Sequence, residues 1–331
     1  MRRTLYTVPL LPAEVRTEFL REAKLKNVEL EELEGEFFLG PADAPNLIWA
    51  TDVTHDATIV EIPSIAAGAK NLRAAVKREW PDLKKWGWVL LPGTHHRRAT
   101  LIASELRAKE ATPLSFPESR QEAPSPFIGF FLTATDRAVL VLNSLTPSPG
   151  GGIEFREEKV GPPSRAYLKI WEALTRVKLS SGVFPASGDV TVDLGSCPGG
   201  WTWALAKLGC ICLSVDGAAI DDSVLKMPGV RFLKSDAFKL SPEAVCRELG
   251  VKKIDWVFSD MICEPKRLAP FLKAWLDSGV CENFIISVKF KGEADLAAIR
   301  ELDGLGGGKL RHLRQNKHEV TWFRVPGLKR I

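Results

Sequence analysis

The chain has no apolar run free of charge that approaches the roughly 18–20 residues needed to cross a bilayer, which argues against a membrane-spanning helix. Its first residues, MRRTLYTVPLLPAEV, carry two arginines and a short apolar stretch, but two prolines and a glutamate interrupt it. It is therefore expected to be a first strand and not a signal peptide. Cysteine is scarce: Cys197, Cys210, Cys212, Cys246, Cys263 and Cys281, with no CxxC pair. That disfavours a zinc site or a thioredoxin-type motif, and no metal is expected. Scattered thiols in a chain of 331 residues fit a reducing cytoplasm. Internal repeats and long low-complexity tracts are absent. So is a strong charge bias: 45 basic residues against 41 acidic ones leave +4, which permits a nucleic-acid partner without demanding one.

What is present is the composition of a folded protein, 45% apolar and 26% charged. The length suggests two domains. Residues 144–164, SLTPSPGGGIEFREEKVGPPS, hold four prolines and four glycines and mark the boundary, giving domains over 1–150 and 151–331. The first part reads as α+β. Helical spacing runs over 12–26 and 65–78, with β-rich runs at 57–62, 86–91, 128–133 and 138–143. In the second part strands alternate with helices: strands at 190–194, 211–216, 230–234, 254–259 and 283–289, and helices at 165–179, 200–208, 241–249, 265–279 and 293–302. The expected fold is α/β, a mostly parallel sheet with helices on both faces, closed by an antiparallel hairpin of 309–315 and 318–325. Ligands of such sheets bind at the carboxyl ends of the strands.

The informative segment is Asp193-Leu-Gly-Ser-Cys-Pro-Gly-Gly-Trp201, a strand-to-helix turn in which Gly195, Gly199 and Gly200 would allow close backbone approach and positive φ. Asp216, 23 residues after Asp193 and ending the next strand, could hold ribose hydroxyls. The pair points to a nucleotide-like ligand. The spacing departs from G-x-G-x-x-G, and Pro198 removes an N–H that a pyrophosphate would use at the helix start. That tilts the reading from NAD toward a phosphate-free ligand such as S-adenosylmethionine. The cluster Gly304-Leu-Gly-Gly-Gly-Lys309 is no P-loop, since Asp303 and Leu310 break the pattern, and reads as a helix-to-strand turn. Asp236 and Asp260 follow later strands, where each could face the same cleft or simply cap a turn.

DLGSCPGGW, with downstream VDG, SDAF, SDM, SVKF and KHEVTWF, resembles the FtsJ-type ribose 2′-O-methyltransferases, over roughly residues 150–325. Within them it looks most like the branch acting on large-subunit ribosomal RNA. The resemblance implies a Rossmann-like S-adenosylmethionine-dependent domain and 2′-O-methylation of RNA, with large-subunit (23S) ribosomal RNA as the expected substrate. Another RNA such as tRNA, or a non-catalytic RNA-binding assembly factor retaining the fold, is the alternative. It also implies a catalytic tetrad of Lys169, Asp260, Lys289 and Glu319. For the cofactor it implies Ser164, Gly195, Cys197, Pro198, Gly199, Gly200 and Trp201 around the glycine turn, Asp216 for the ribose, Asp236 for the adenine and Asp260 near the methionine end. A ribose 2′-hydroxyl is a poor nucleophile, so a base must take its proton. A lysine with pKa about 10.4 would have to lose its own proton first. Burial and the neighbouring Lys169 cation are expected to favour this at Lys289, the expected base, while Asp260 and Glu319 orient the two ammonium groups.

Each residue has a plainer alternative. Lys289 ends an apolar strand and could snorkel to solvent. Lys169 could form an exposed i,i+3 pair with Glu172. Glu319 could sit on a strand surface. His312 and His318 read as polar strand or turn residues, and Cys197 as a small spacer. Rival methyl acceptors lack their marks: Ser259-Asp-Met-Ile262 stands where amino-methylating enzymes carry [DNS]-P-P-[YFW], and no Pro-Cys or Thr-Cys pair supplies a cytosine-C5 nucleophile. The first 150 residues hold no clear THUMP sequence, the RNA-binding module of longer family members. In residues 70–100, Lys70, Arg73, Lys77, Arg78, Lys84, Lys85, Arg97 and Arg98 surround Trp80, Trp86 and Trp88. These could bind phosphates and stack on bases, or form a solvated face over core tryptophans.

Overall fold

A computed structural model describes residues 2–33, 35–93, 95–110, 112–118, 127–143, 153–329 and 331. They divide into two units, Met1–Arg156 and Glu157–Ile331. Residues 144–152 of the Pro/Gly-rich boundary segment lie outside the described residues.

In the first unit the chain runs β1 (Arg2–Thr7), α1 (Ala13–Leu25), β2 (Glu31–Glu32), β3 (Phe37–Gly40), β4 (Asp52–Glu61), α2 (Ile65–Glu79), β5 (Gly87–Leu90), α3 (His96–Leu106), β6 (Lys109–Glu110), β7 (Phe127–Ala134) and β8 (Arg137–Asn143). Its strands make one sheet in the order β2-β3-β1-β4-β8-β7-β5-β6. Period-two alternation sorts the central strands between two cores. Ile128, Phe130, Leu132, Ala138 and Leu140 pack with Leu72 and Val76 of α2 and Ile102 of α3. Phe127, Phe131, Val139 and Val141 pack on the other side with Leu5 and Leu39. The first core also takes in Trp80 and Trp88, with Trp86 packed against it. Trp80 and Trp88 are therefore core residues, and the base-stacking expectation is corrected for these two, while Trp86 is partly buried against them.

The second unit runs α4 (Tyr167–Ser181), β9 (Val190–Leu194), α5 (Gly200–Lys207), β10 (Ile211–Asp216), α6 (Asp222–Leu225), β11 (Val230–Lys234), α7 (Pro242–Leu249), β12 (Trp256–Ser259), α8 (Leu268–Ser278), β13 (Asn283–Lys289), α9 (Leu296–Leu302), β14 (Lys309–Arg311) and β15 (Glu319–Arg324). The sheet order is β11-β10-β9-β12-β13-β15-β14. The five strands β11 to β13 are parallel, and β15 pairs antiparallel with both β13 and β14. The fold is thus α/β with a mostly parallel sheet and a terminal antiparallel hairpin, as the alternation predicts. Ser241 caps α7 by accepting from the Ala244 N–H, with Pro242 at its first position. β13 reads NFIISVK and is buried along its middle, as a strand covered on both faces requires.

The chain builds outward from β9 to β10 and β11, then returns to β12 on the other side of β9. Right-handed crossovers on either side of that reversal send their helices to opposite faces. A crevice opens at such a reversal, at the carboxyl ends of β9 and β12. The turn after β9 and Asp260 after β12 sit there: the Asp260 N–H donates to the Leu194 carbonyl at 3.2 Å.

Candidate active site

The loop after β9 is shaped by steric limits. Gly195 has φ +76°, and a Cβ there would fall 2.6 Å from Met261 Cγ and 2.8 Å from its Cα. Only glycine lets Met261 lie against the loop. Gly200 is a different case from the positive-φ expectation. It is the first residue of α5, and its lack of a side chain makes room for Ser164 Oγ, 2.6 Å from where a Cβ would sit. Asp216 Oδ2 accepts from the Cys197 N–H at 3.0 Å and Oδ1 from the Ala218 N–H at 2.9 Å. The carboxylate therefore ties the loop after β9 to the end of β10 and keeps further acceptor sites for a ligand. Asp236 Oδ1 accepts from the Phe238 N–H at 3.0 Å, the turn-capping role that an acid after a strand so often has.

A cavity of about 500 Å³ lies above these strand ends, lined by Gly195, Cys197, Asp216, Asp236, Asp260 and Lys289. That volume lies in the range of small-ligand sites, roughly 300–1,000 Å³. Ser164, Pro198, Gly199, Gly200 and Trp201, expected around the ligand, are not among its lining residues. Two of them serve the surrounding fold: Gly199 at φ +109° precedes α5, and the Trp201 indole donates to the Ala166 carbonyl at 2.9 Å, tying α5 to the start of α4. The sequence reading missed Phe238 and Arg267, which also line the cavity, with the guanidinium 3.9 Å from the ring centroid. No motif flags Arg267, and SDAF carried Phe238 without marking it.

Four charged side chains meet at the cavity's edge. Lys169, from α4, places Nζ 2.6 Å from Glu319 Oε1 and 3.2 Å from Asp260 Oδ1. Lys289 Nζ is 3.0 Å from Asp260 Oδ1 and donates to the Asp260 carbonyl at 2.6 Å. Lys289 and Glu319 are direct register partners in the antiparallel β13–β15 pair. That pairing puts the last residue of one strand beside the first of the other. Burial pulls the Lys169 ammonium down, but the Asp260 and Glu319 carboxylates outweigh it, and its pKa is raised. Lys169 thus stays a cation. A carboxylate oxygen stands between the two lysines, so the second cation expected to act on Lys289 is not a bare charge.

The plainer alternatives do not describe these residues. The Lys289 side chain is 23% exposed and held on Asp260, not snorkelling. Glu319 is 5% exposed. Glu172 makes no exposed pair with Lys169: it is fully buried and accepts from Arg176 Nε at 3.0 Å. It also accepts from the backbone N–H groups of Arg314 at 3.1 Å and Gln315 at 3.0 Å. One turn of α4 therefore carries Lys169 and anchors the loop leading to Glu319. His312 is buried too, its Nδ1 at 2.8 Å from the Glu319 carbonyl, and burial pulls its pKa down to about 4. It is a core residue, not the polar strand position expected. Cys197 is exposed, its thiol donating to the Ala219 carbonyl.

Residues 162–289 match the FtsJ-like methyltransferase family. The chain carries an FtsJ-like methyltransferase domain. The ribosomal RNA large subunit methyltransferase M of Azoarcus sp. (strain BH72) is 31% identical to the chain over 173 residues, 49% of this chain and 45% of that protein. The protein of the same name from Psychromonas ingrahamii is 37% identical over 131 residues, 38% of this chain and 33% of that one. The matched stretch spans about half the length of these curated relatives or less. Among solved structures, the fibrillarin pre-rRNA processing protein of Methanococcus jannaschii is 18% identical, covering 47% of this chain and 75% of its own, with a TM-score of 0.36. The FtsJ-like domain contains Lys169, Asp260 and Lys289, and the fourth charged residue, Glu319, comes from the hairpin beyond the matched span. Among the described residues no helix is long and apolar enough to cross a membrane, and no group of three or more His, Cys, Asp or Glu could hold a metal.

Proposed function

We propose that the chain transfers a methyl group from S-adenosylmethionine to a ribose 2′-hydroxyl of RNA, with large-subunit ribosomal RNA as the substrate, in the cytoplasm. The observation that carries this reading is the ion-paired cluster Lys169–Asp260–Lys289–Glu319 at the edge of the strand-end cavity. S-adenosylmethionine would supply an electrophilic methyl on a sulfonium. The residues present fit it: a phosphate-free ligand needs no free helix N-terminus, and Asp216 retains acceptor sites for ribose hydroxyls beyond the two that hold the loop.

Lys289 is the base in this reading. As a neutral amine it keeps two N–H bonds and one lone pair. The Asp260 carbonyl and Oδ1 are placed to accept both N–H groups. The lone pair is then left for the proton of the 2′-hydroxyl, held close in a fixed orientation. Lys169, kept cationic by Asp260 and Glu319, holds both carboxylates in place and stabilises negative charge developing on the attacking oxygen. Exposed Lys70, Lys77, Lys84 and Lys85 of the first unit support phosphate contacts outside the catalytic domain, which makes 1–150 a candidate RNA-binding domain.

The test is methyl transfer from labelled S-adenosylmethionine to total RNA from cells lacking this protein, followed by nucleoside analysis. A 2′-O-methylated nucleoside, absent with Lys289→Ala, is expected. No label in RNA or in precursor ribosomal particles, despite cofactor binding, would leave a non-catalytic RNA-binding protein.

A further inference from the structure

A second cavity, of about 570 Å³, lies within the Glu157–Ile331 unit and shares Lys289 with the first. Lys169 and Glu319 line this one, whereas Gly195, Asp216 and Asp236 line the other. The proposed base therefore borders two recesses, one carrying the ligand-binding strand ends and one without an assigned occupant. A displacement at a methyl carbon needs donor and acceptor on opposite sides of that carbon. Two recesses meeting at one base meet that need if the acceptor uses the second.

The lining of the second recess names the acceptor's chemistry. Leu168 and Phe290 give it apolar surface, and the His318 ring lies 5.9 Å from that of Phe290, so flat apolar faces are available to a base. Gln315 adds an amide that can both donate and accept at a base edge. Arg165 and Lys317 put two cations at the rim. Arg165 is paired with Glu157 at 2.7 Å, but at 76% and 40% exposure that pair is weak and can exchange for a phosphate. The charged groups at the inner end are only 5% to 23% exposed. A ribose inside a paired, stacked helix could not reach them without leaving the stack.

Building on the reading above, we infer that this recess receives one unpaired nucleotide of the RNA. Its sugar lies against Lys169, Lys289 and Glu319, its base against Phe290, His318 and Gln315, and its phosphate between Arg165 and Lys317. The test is binding of a mixed-sequence 12-nucleotide single-stranded RNA to the full chain loaded with S-adenosylhomocysteine, which cannot transfer methyl. Arg165→Glu/Lys317→Glu is compared with a control, Lys252→Glu/Lys253→Glu, two exposed lysines that precede β12 at the other end of the strands. The expected result is at least tenfold weaker RNA binding for the first pair, less than a twofold change for the control, and unchanged S-adenosylhomocysteine binding in both. Equal losses in the two pairs would overturn the inference, as would duplex RNA binding as tightly as single strands. Gln315→Ala is the milder check: a raised KM for RNA with unchanged cofactor binding supports the assignment, and an unaltered KM counts against it. If wild type binds RNA through this recess yet transfers no methyl, the proposed reaction falls and the recess stands.

Discussion

At the scale of single residues, the site turns on which side chain can give up charge. Lys169 cannot, because two carboxylates hold its proton. Lys289 has one carboxylate, that of Asp260, and a neutral acceptor, the Asp260 carbonyl, placed to keep its amine oriented. Lys289→Ala is expected to cut methyl transfer by about 100- to 10,000-fold, the range of general-base contributions, while calorimetry shows cofactor affinity nearly unchanged. Retained turnover would move the base elsewhere. Asp216→Ala should act the other way, weakening cofactor binding by about 1–3 kcal/mol for a lost hydrogen-bonded charge. A binding isotherm that matches wild type would remove Asp216 from the ligand site. Both residues were legible in the sequence because each ends a strand, and strand ends of a parallel sheet converge on one edge. Arg267 was not: it lies outside any strand end and joins the cavity only by stacking on Phe238.

At the scale of elements, the decisive joint is between α4 and the β14–β15 hairpin. α4 is buried all round from Tyr167 to Val177 apart from Lys169, Glu172 and Arg176 included. Helical periodicity alone reads Glu172 and Lys169 as an exposed pair, because spacing gives neighbours on a helix and not the burial of the face they share. The tertiary fold decides otherwise: Glu172 takes Arg176 and two backbone N–H groups of residues 314 and 315. Removing one partner of a buried pair leaves the other charged and unpaired. Glu172→Ala is therefore expected to destabilise the chain by about 3–5 kcal/mol in urea denaturation. Glu172→Gln, which keeps one acceptor for the hairpin, should lose less. Equal and small losses for both would mean that the hairpin is held by its strand pairing alone. The elements themselves were largely legible: the strand runs and the hairpin stand where hydrophobic patterning puts them. The short β3 and the helix α3 were not, since four residues of FFLG and a helix opened by HRR carry weak periodic signals.

At the scale of the whole molecule, two buried titratable groups pull the pH dependence of stability in opposite directions. Asp193, at the end of β9, accepts from the Thr202 hydroxyl at 2.7 Å, yet burial pushes its pKa from 3.8 up to about 7. A raised carboxyl contributes stability that is complete below pH 3.8 and is lost as pH rises through 7. His312 has its pKa pulled from 6.5 down to about 4. A depressed imidazole contributes stability that is complete above pH 6.5 and is lost as pH falls through 4. At about 1.4 kcal/mol for each tenfold change in proton affinity, each group is worth about 3–4 kcal/mol across its window. Between pH 4 and 6.5 the two largely cancel, so wild type should show a shallow profile over that range from these groups. Single substitutions expose the halves. Asp193→Asn keeps the Thr202 bond and should gain on wild type steadily from pH 4 to pH 7. His312→Gln keeps a donor for the Glu319 carbonyl and should gain on wild type as pH falls from 6.5 to 4. The measurement is the urea midpoint of all three proteins at half-unit pH steps. Profiles that run parallel to wild type would mean that neither group titrates between these limits in the folded chain, and that the sheet tolerates the Asp193 charge beneath the very strand ends that form the site.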